Sequence, residues 1–166
     1  MLKSRKVWIG ILGTAFFSVS AWAGAGPSGH NHSEHNHGAN FSAGEPGDPA
    51  KPARVIQVTM VETDGKMLFL PARIEIKKGD QVKFVLRNNG HLDHEFVLAS
   101  TAENLKHAEA MKANPDMAHD DPNGKQLAPS KSGQIVWKFT KAGEFEYACL
   151  IPGHREAGMV GTIVVK

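Results

Sequence analysis

The feature that most constrains this chain is a short loop that contains its only cysteine. Cys149 is followed by a histidine five positions later and by a methionine after five more. A thiolate, an imidazole nitrogen and a weak thioether are the soft donors of a trigonal copper site with a long axial methionine. Pro152 and Gly153 supply a turn that brings His154 back toward the cysteine. The spacing therefore predicts three type-1 copper ligands: Cys149, His154 and Met159. A buried, inert cysteine beside an unrelated histidine and methionine is the competing interpretation.

Such a site needs a second imidazole, and two histidines compete for that position. His94 directly opens an apolar run, whereas His91 follows a flexible Asn-Asn-Gly turn. We therefore expect His94 to be the fourth ligand and His91 to be exposed to solvent. A rigid set of two nitrogens, one thiolate and a weak thioether suits both Cu(I) and Cu(II), so little reorganisation accompanies electron transfer.

These patterns resemble the cupredoxins, the type-1 copper proteins that include plastocyanin, azurin, rusticyanin and auracyanin. The resemblance covers residues 53 to 166 and rests on Cys149-x₄-His154-x₄-Met159 followed by Gly161-x-Ile163-x-Val165, and on Asn88-x-Gly90-x₃-His94-x-Phe96. It implies a mononuclear, redox-active copper centre in a Greek-key fold. Many cupredoxins have an asparagine directly after the first histidine ligand, where this chain has Glu95. We expect its carboxylate to brace the cysteine loop in the same way.

The N-terminus has the organisation of a secretory signal peptide. Three basic residues precede an apolar run from Val7 to Ala21, which ends in Ala21-Trp22-Ala23. This pattern predicts cleavage after Ala23 and export to the periplasm, and the run is short for a membrane span. An uncleaved anchor is the alternative. After processing, we expect a chain that is not an integral membrane protein.

The segment from residue 24 to residue 52 is rich in Gly, Pro, Ser, Asn and His and has almost no apolar residue besides Phe41. Such a composition buries too little surface to offset the entropy of ordering the backbone, so it predicts a flexible tail. Short histidine-rich tracts bind metals, and these imidazoles favour Cu(II). The predicted additional copper ligands are His30, His32, His35 and His37. A soluble spacer or a cloning tag is the competing interpretation.

Residues 53 to 166 alternate apolar and polar side chains in short runs separated by Gly, Asp and Asn turns. Val82, Phe84 and Leu86 share one face of such a run, and Phe145, Tyr147 and Cys149 share one face of another. About seven runs of this kind predict an all-β Greek-key sandwich or barrel.

One segment breaks the alternation, and we place it in an insertion from residue 100 to residue 132. Ser100 and Glu103 form a capping box that predicts a helix over 101 to 114. The expected buried stripe is Ala102, Leu105, Ala108 and Met111. A secondary Cu(I) site is a further hypothesis for this insertion. Its candidate ligands are Met117 and His119, with His107 and Met111 on the helix. The simpler interpretations are that Met111 packs in the core and that the two histidines are exposed to solvent.

The net charge of the chain and the residues beside Cys149 argue against nucleic-acid binding and against a multicopper enzyme. The formal net charge is +2 and includes the basic N-terminus, and no basic face interleaved with aromatic residues indicates nucleic-acid binding. Copper oxidases and nitrite reductases reach a second copper through a histidine beside the cysteine, but Ala148 and Leu150 flank Cys149. We therefore expect a protein that is not an enzyme and that acts as a monomer.

Two functions share the predicted site. The histidine-rich tail favours copper tolerance, as in the periplasmic copper-tolerance cupredoxins that this chain resembles. The alternative is a dedicated one-electron carrier, similar to azurin or auracyanin, that exchanges electrons with a redox protein in a respiratory or photosynthetic chain.

Overall fold

The computed structural model describes residues 41–114 and 121–166. The predicted signal peptide, the four tail histidines, Met117 and His119 lie outside the described residues. Within the two described ranges, no helix is long and apolar enough to cross a membrane.

The described residues form ten strands and one helix. The strands are β1 (Glu45–Pro46), β2 (Arg54–Thr63), β3 (Lys66–Leu70), β4 (Arg73–Ile76), β5 (Gln81–Asn88), β6 (His94–Ala99), β7 (Gly124–Leu127), β8 (Ser132–Lys138), β9 (Gly143–Ala148) and β10 (Val160–Val165), and the helix is α1 (Thr101–Ala113). One sheet has the order β1-β8-β5-β2-β3 and the other β4-β10-β9-β6-β7. The predicted all-β sandwich is therefore confirmed.

The core follows from the alternation of side chains along the strands. Val82, Phe84 and Leu86 on β5 are fully buried, and so is Trp137 on the neighbouring strand β8. Inward-facing residues of both sheets form one apolar cluster that includes Cys149. The cysteine thus lies where the core aromatic residues lie, as its position two residues after Tyr147 predicts.

The flexible tail was predicted to reach residue 52, and this is wrong for residues 41–52. Ala43 is fully buried, and Phe41 makes an edge-to-face contact with Trp137 at a centroid distance of 5.1 Å. Gly47 donates a backbone hydrogen bond to Val136 at 2.8 Å, next to the pairing of β1 with β8. One aromatic and one alanine side chain, together with backbone partners at the sheet edge, help to anchor this segment.

The strands β3 and β4 follow each other closely in the chain but belong to different sheets. β3 pairs with β2 in the first sheet, and β4 pairs in parallel with β10 in the second. Pro71 lies between them. Proline has no backbone N–H for a sheet ladder, so it is suited to the place where the chain changes sheets.

The helix begins as predicted, but its buried face is rotated from the expected one. Ser100 and Glu103 form the capping box, and the buried residues are Asn104, Ala108 and Met111. Leu105, placed in the predicted stripe, is 48% exposed. The difference arises because Asn104, a polar residue that the apolar pattern omitted, points toward the sheet and donates hydrogen bonds there.

The C-terminal part of the predicted insertion belongs to the sandwich. β7 pairs antiparallel with β6, and Leu127 lies opposite His94 in this register. The strand was missed because its sequence, Gly-Lys-Gln-Leu, has a single apolar residue. β7 covers the edge of β6, the strand that begins with the predicted ligand His94.

Candidate metal centre

The predicted ligands lie at strand ends of the second sheet. His94 is the first residue of β6, Cys149 directly follows β9, and Met159 directly precedes β10. β9 pairs with both β6 and β10. Three neighbouring strands therefore bring residues that are far apart in sequence to the same end of the sandwich.

The loop between Cys149 and Met159 is held by its own backbone. The N–H of Cys149 donates to the carbonyl of Met159 at 3.1 Å, and the N–H of Met159 donates to the carbonyl of His154 at 3.1 Å. The N–H of His154 donates to Ile151 at 3.0 Å. Gly153 has a φ of 90°, a left-handed conformation that is costly for residues with a Cβ. These bonds fix His154 above the cysteine.

Three donor atoms converge at this end of the fold. His94 Nδ1 lies 3.2 Å from His154 Nδ1, and Cys149 Sγ lies 3.3 Å from the same nitrogen of His154. All three ligand atoms lie within 4.8 Å of one another. His94 and Cys149 are fully buried, whereas His154 is half-buried. Two imidazole nitrogens and one sulfur form the donor set that copper prefers in a trigonal site.

Met159 is bonded through its main chain to two of these donor residues, and it is fully buried. Its main chain bonds to both Cys149 and His154, which places it at the same end of the core cluster. A thioether from this position suits a weak axial ligand.

Glu95 braces the cysteine loop, as the replacement of the family's asparagine predicts. Its backbone N–H donates to Cys149 Sγ at 3.4 Å, and its carboxylate accepts from the N–H of Leu150 at 2.7 Å. Glu95 is only 2% exposed. The residue after the first histidine thus holds the cysteine from two sides.

A second carboxylate at the site was missed by sequence reasoning. Glu62, near the end of β2, accepts at 2.7 Å from His94 Nε2, the nitrogen that faces away from the other donors. It also accepts from the backbone N–H groups of His91 and Leu92 at 2.8 and 3.1 Å. No motif marks Glu62, because its role depends on the parallel pairing of β2 with β5, which brings it near the loop before His94.

The loop that precedes His94 is organised by Asn88. Its side-chain amide donates to Leu92 and Leu127 at 2.7 and 2.9 Å, and its oxygen accepts from the N–H of Gly90 at 2.8 Å. His91 is exposed, as expected. The Asn-Asn-Gly turn is therefore tied to the loop before β6 and to the end of β7.

Burial shapes the protonation of the metal-free site. It raises the pKa of Cys149 to about 12, partly opposed by the N–H of Glu95. Burial also lowers the pKa of His154, and so does the neighbouring His94. For Glu62, burial alone would raise the pKa, but the N–H groups of His91 and Leu92 and the contact with His94 together lower it. The free site therefore favours a thiol and a neutral His154 imidazole.

Helix α1 supports the cysteine loop from outside. Ala108 and Met111 pack with Ala148 and Leu150, the two neighbours of Cys149, in a second apolar cluster. Met111 is 4% exposed, which confirms that it packs.

A buried polar chain extends this support. Asn104 donates to Glu146 Oε1 at 3.3 Å, and Glu146 accepts two bonds from Arg155, at 3.3 and 2.9 Å. Arg155 is the residue after His154. The helix is therefore connected through β9 to the loop from Cys149 to Met159, the proposed ligand loop.

Comparison with known proteins assigns the family. The family model described as copper binding proteins of the plastocyanin/azurin family matches residues 56–166. The chain belongs to this family. The matched range contains every residue of the donor cluster together with Glu62, Glu95 and Met159.

The relatives of this chain include proteins named copper-resistant cuproprotein CopI. The one from Rubrivivax gelatinosus is 49% identical over 157 residues, which cover 92% of each protein. The one from Pseudomonas aeruginosa is 38% identical over 159 residues and covers 78% of this chain and 84% of the relative. Among solved structures, auracyanin B is similar with a TM-score of 0.60 at 24% identity, over 77% of this chain and 99% of that one. That likeness concerns the fold.

Proposed function

We propose that this protein is an exported type-1 copper protein that acts in copper tolerance, with His94, Cys149, His154 and Met159 as its ligands. The observation that carries the proposal is the convergence of Cys149 Sγ with the Nδ1 atoms of His94 and His154 within 4.8 Å. A site for a harder cation would present carboxylate and carbonyl oxygens instead. The 49% identity to a copper-resistant cuproprotein supports the role in tolerance.

A bound copper ion supplies a one-electron couple, and the residues of this chain decide how it is held. The strand ends fix His94 and Cys149, while the backbone bonds of the loop fix His154 and Met159. The rest of the core excludes water from the sulfur, since Cys149 is fully buried. Ligands that are already in place need little rearrangement when the charge on the metal changes.

Additional copper binding is part of the proposal. His30, His32, His35 and His37 offer imidazoles that bind copper in an exported compartment, and Met117 with His119 offers a weaker Cu(I) site. A Cu(I) titration of a chain that lacks the tail and carries Cys149→Ser tests the second pair. Binding that disappears on mutation of Met117 and His119 supports the site, and no binding argues against it.

A dedicated electron carrier is the second candidate. The fold similarity to auracyanin B is compatible with it, and so is the half-buried His154, whose ring offers an electron path from the core to the surface. Neither candidate requires catalysis, and Ala148 and Leu150 place no histidine beside Cys149 to connect a second copper centre.

Two measurements test this proposal. Cu(II) added to the processed chain should produce an intense visible absorption from thiolate-to-copper charge transfer and a type-1 EPR signal. Deletion of the gene should make cells sensitive to copper, whereas a dedicated carrier predicts loss of a respiratory or photosynthetic step at normal copper. An uncoloured copper complex would contradict the ligand assignment, and unchanged copper sensitivity would contradict the role in tolerance.

A further inference from the structure

We propose that Glu62 is a positioning residue that orients His94 for copper and places a negative charge behind it. This inference rests on the proposed copper function, since it concerns one ligand of that site. Glu62 lies 32 positions before His94 in the chain and on a strand of the other sheet. It is therefore not part of the ligand loop or of the histidine segment.

The contact is short and largely removed from solvent. Glu62 Oε1 lies 2.7 Å from His94 Nε2, and the two side chains are 21% and 0% exposed. His94 is fully buried, so a partner for its second nitrogen must come from the protein. Unpaired buried polar groups are costly, and Glu62 supplies the acceptor.

The carboxylate is held in place before any metal binds. Oε1 also accepts from the N–H groups of His91 and Leu92, and Oε2 accepts from His91 at 2.8 Å. The backbone of Gly90 is pressed against it, since a Cβ at Gly90 would lie 2.3 Å from Oε1. The loop before His94 thus encloses the carboxylate.

This arrangement selects one form of the imidazole. A neutral histidine carries its proton on one ring nitrogen, and a carboxylate at Nε2 keeps the proton there. Nδ1 then carries the lone pair and points at Cys149 Sγ and His154 Nδ1. Ligating histidines are commonly fixed by a partner on the other nitrogen, and loss of such a partner lowers metal affinity about 10- to 100-fold.

The charge of Glu62 has a further consequence. A full carboxylate makes the imidazole more electron-rich than a neutral backbone carbonyl would, which stabilises Cu(II) more than Cu(I). Glu62→Gln retains an oxygen for His94 Nε2 and removes the charge. Glu62→Ala removes both, so the two variants separate orientation from charge.

The test combines nitrogen NMR of the metal-free full chain with spectroelectrochemistry of the copper-loaded chain. In the metal-free wild type, His94 should be the Nε2–H tautomer. Glu62→Gln should bind Cu(II) at the coloured site about 10- to 100-fold more weakly. If Cu(I) binding is unchanged, the weaker Cu(II) binding raises the midpoint potential by about 59 to 120 mV, because each tenfold change in the ratio of the two affinities shifts a one-electron potential by about 59 mV. Glu62→Ala should also lose the single tautomer.

Glu156→Gln is the matched control. Glu156 lies on the ligand loop, is 57% exposed and pairs with Lys112, so its replacement removes a nearby charge without touching an imidazole. An Nδ1–H tautomer in the wild type, or a Glu62→Gln potential that moves no more than that of the control, overturns the inference. A wild type that forms no coloured site overturns the proposed function instead, and the tautomer still tests the contact between Glu62 and His94.

Discussion

The backbone N–H of Leu150 donates a 2.7 Å hydrogen bond to the carboxylate of Glu95. The bond joins the residue after the first histidine ligand to the residue after the cysteine. Leu150 and Glu95 are 1% and 2% exposed, so water does not replace this partner. Two proposed ligands from distant parts of the chain, His94 and Cys149, are thereby held close to each other.

Glu95→Ala should destabilise the metal-free protein by about 1 to 3 kcal/mol, the usual cost of leaving a buried N–H without a partner. Glu95→Gln should lower the free energy of unfolding by less. Burial raises the pKa of Glu95 and so favours the neutral acid, which an amide resembles. The amide also keeps an oxygen that accepts from the N–H of Leu150. Urea unfolding of the wild type and both variants measures this. Equal losses in the two variants would show that the bond to Leu150 is not the stabilising contact.

Cys149→Ser should abolish the intense visible absorption, because the bond between copper and the thiolate sulfur gives rise to it. Met159→Leu should keep a coloured site and shift its potential, since the long axial thioether tunes the centre without creating the band. Absorption spectra and redox titrations of both variants provide the readout. Strong colour in Cys149→Ser would mean that another residue supplies the sulfur or the band.

Copper affinity at the coloured site should rise about tenfold per pH unit between about pH 7 and 9, because one thiol proton leaves as the metal binds. Burial raises the pKa of Cys149 to about 12, so the proton is present throughout this range. The lowered pKa of His154 keeps that imidazole neutral here, so it adds no second proton. Chelator competition followed through the charge-transfer band measures the slope, and a flat profile would contradict a buried thiol.

Arg155→Ala should destabilise the fold by about 1 to 3 kcal/mol, because it removes two hydrogen bonds from a nearly buried carboxylate. The Glu146 side chain is 9% exposed and keeps only its contact with Asn104. The coloured band should persist, since the Arg155 side chain is not one of the proposed ligands. Lys112→Ala, which removes only exposed ion pairs, is the control, and an equal loss there would contradict the importance of the buried pair.

Removal of residues 24–40 should lose the additional copper ions and keep the coloured one, since the four tail histidines lie in that segment. A longer deletion, through residue 52, should also lower the thermal midpoint because it removes the buried Ala43 and the Phe41 contact with Trp137. Copper analysis and thermal unfolding of both forms distinguish these effects. If the shorter deletion bound the same number of copper ions as the wild type, the tail would serve only as a linker.

The grouping of Cys149 with His154 was predictable because the information for it is local in the sequence. Cys149, His154 and Met159 are separated by fixed intervals on one turn, and His94 opens a strand with a visible apolar pattern. The alternation of side chains likewise predicts the sandwich. Ser100 and Glu103 mark the start of helix α1 by their own contacts.

Other features depend on pairings that a linear pattern does not contain. Glu62 reaches His94 because β2 lies beside β5, and Asn104 faces the sheet because Glu146 and Val97 offer acceptors there. β7 has a single apolar residue, and its place is fixed by hydrogen bonds to β6. Polar residues with a structural role were missed because hydrophobic periodicity treats them as exposed.

The pairing of Ala148 with Val160 closes the ligand loop at its base, together with the bond from Cys149 to Met159. Changes between these two points alter the surface around His154 without shifting the register of either strand. The backbone bonds of the loop and the strands on either side of it therefore set where the proposed donors lie, while the exposed side chains of the loop set which surface surrounds His154.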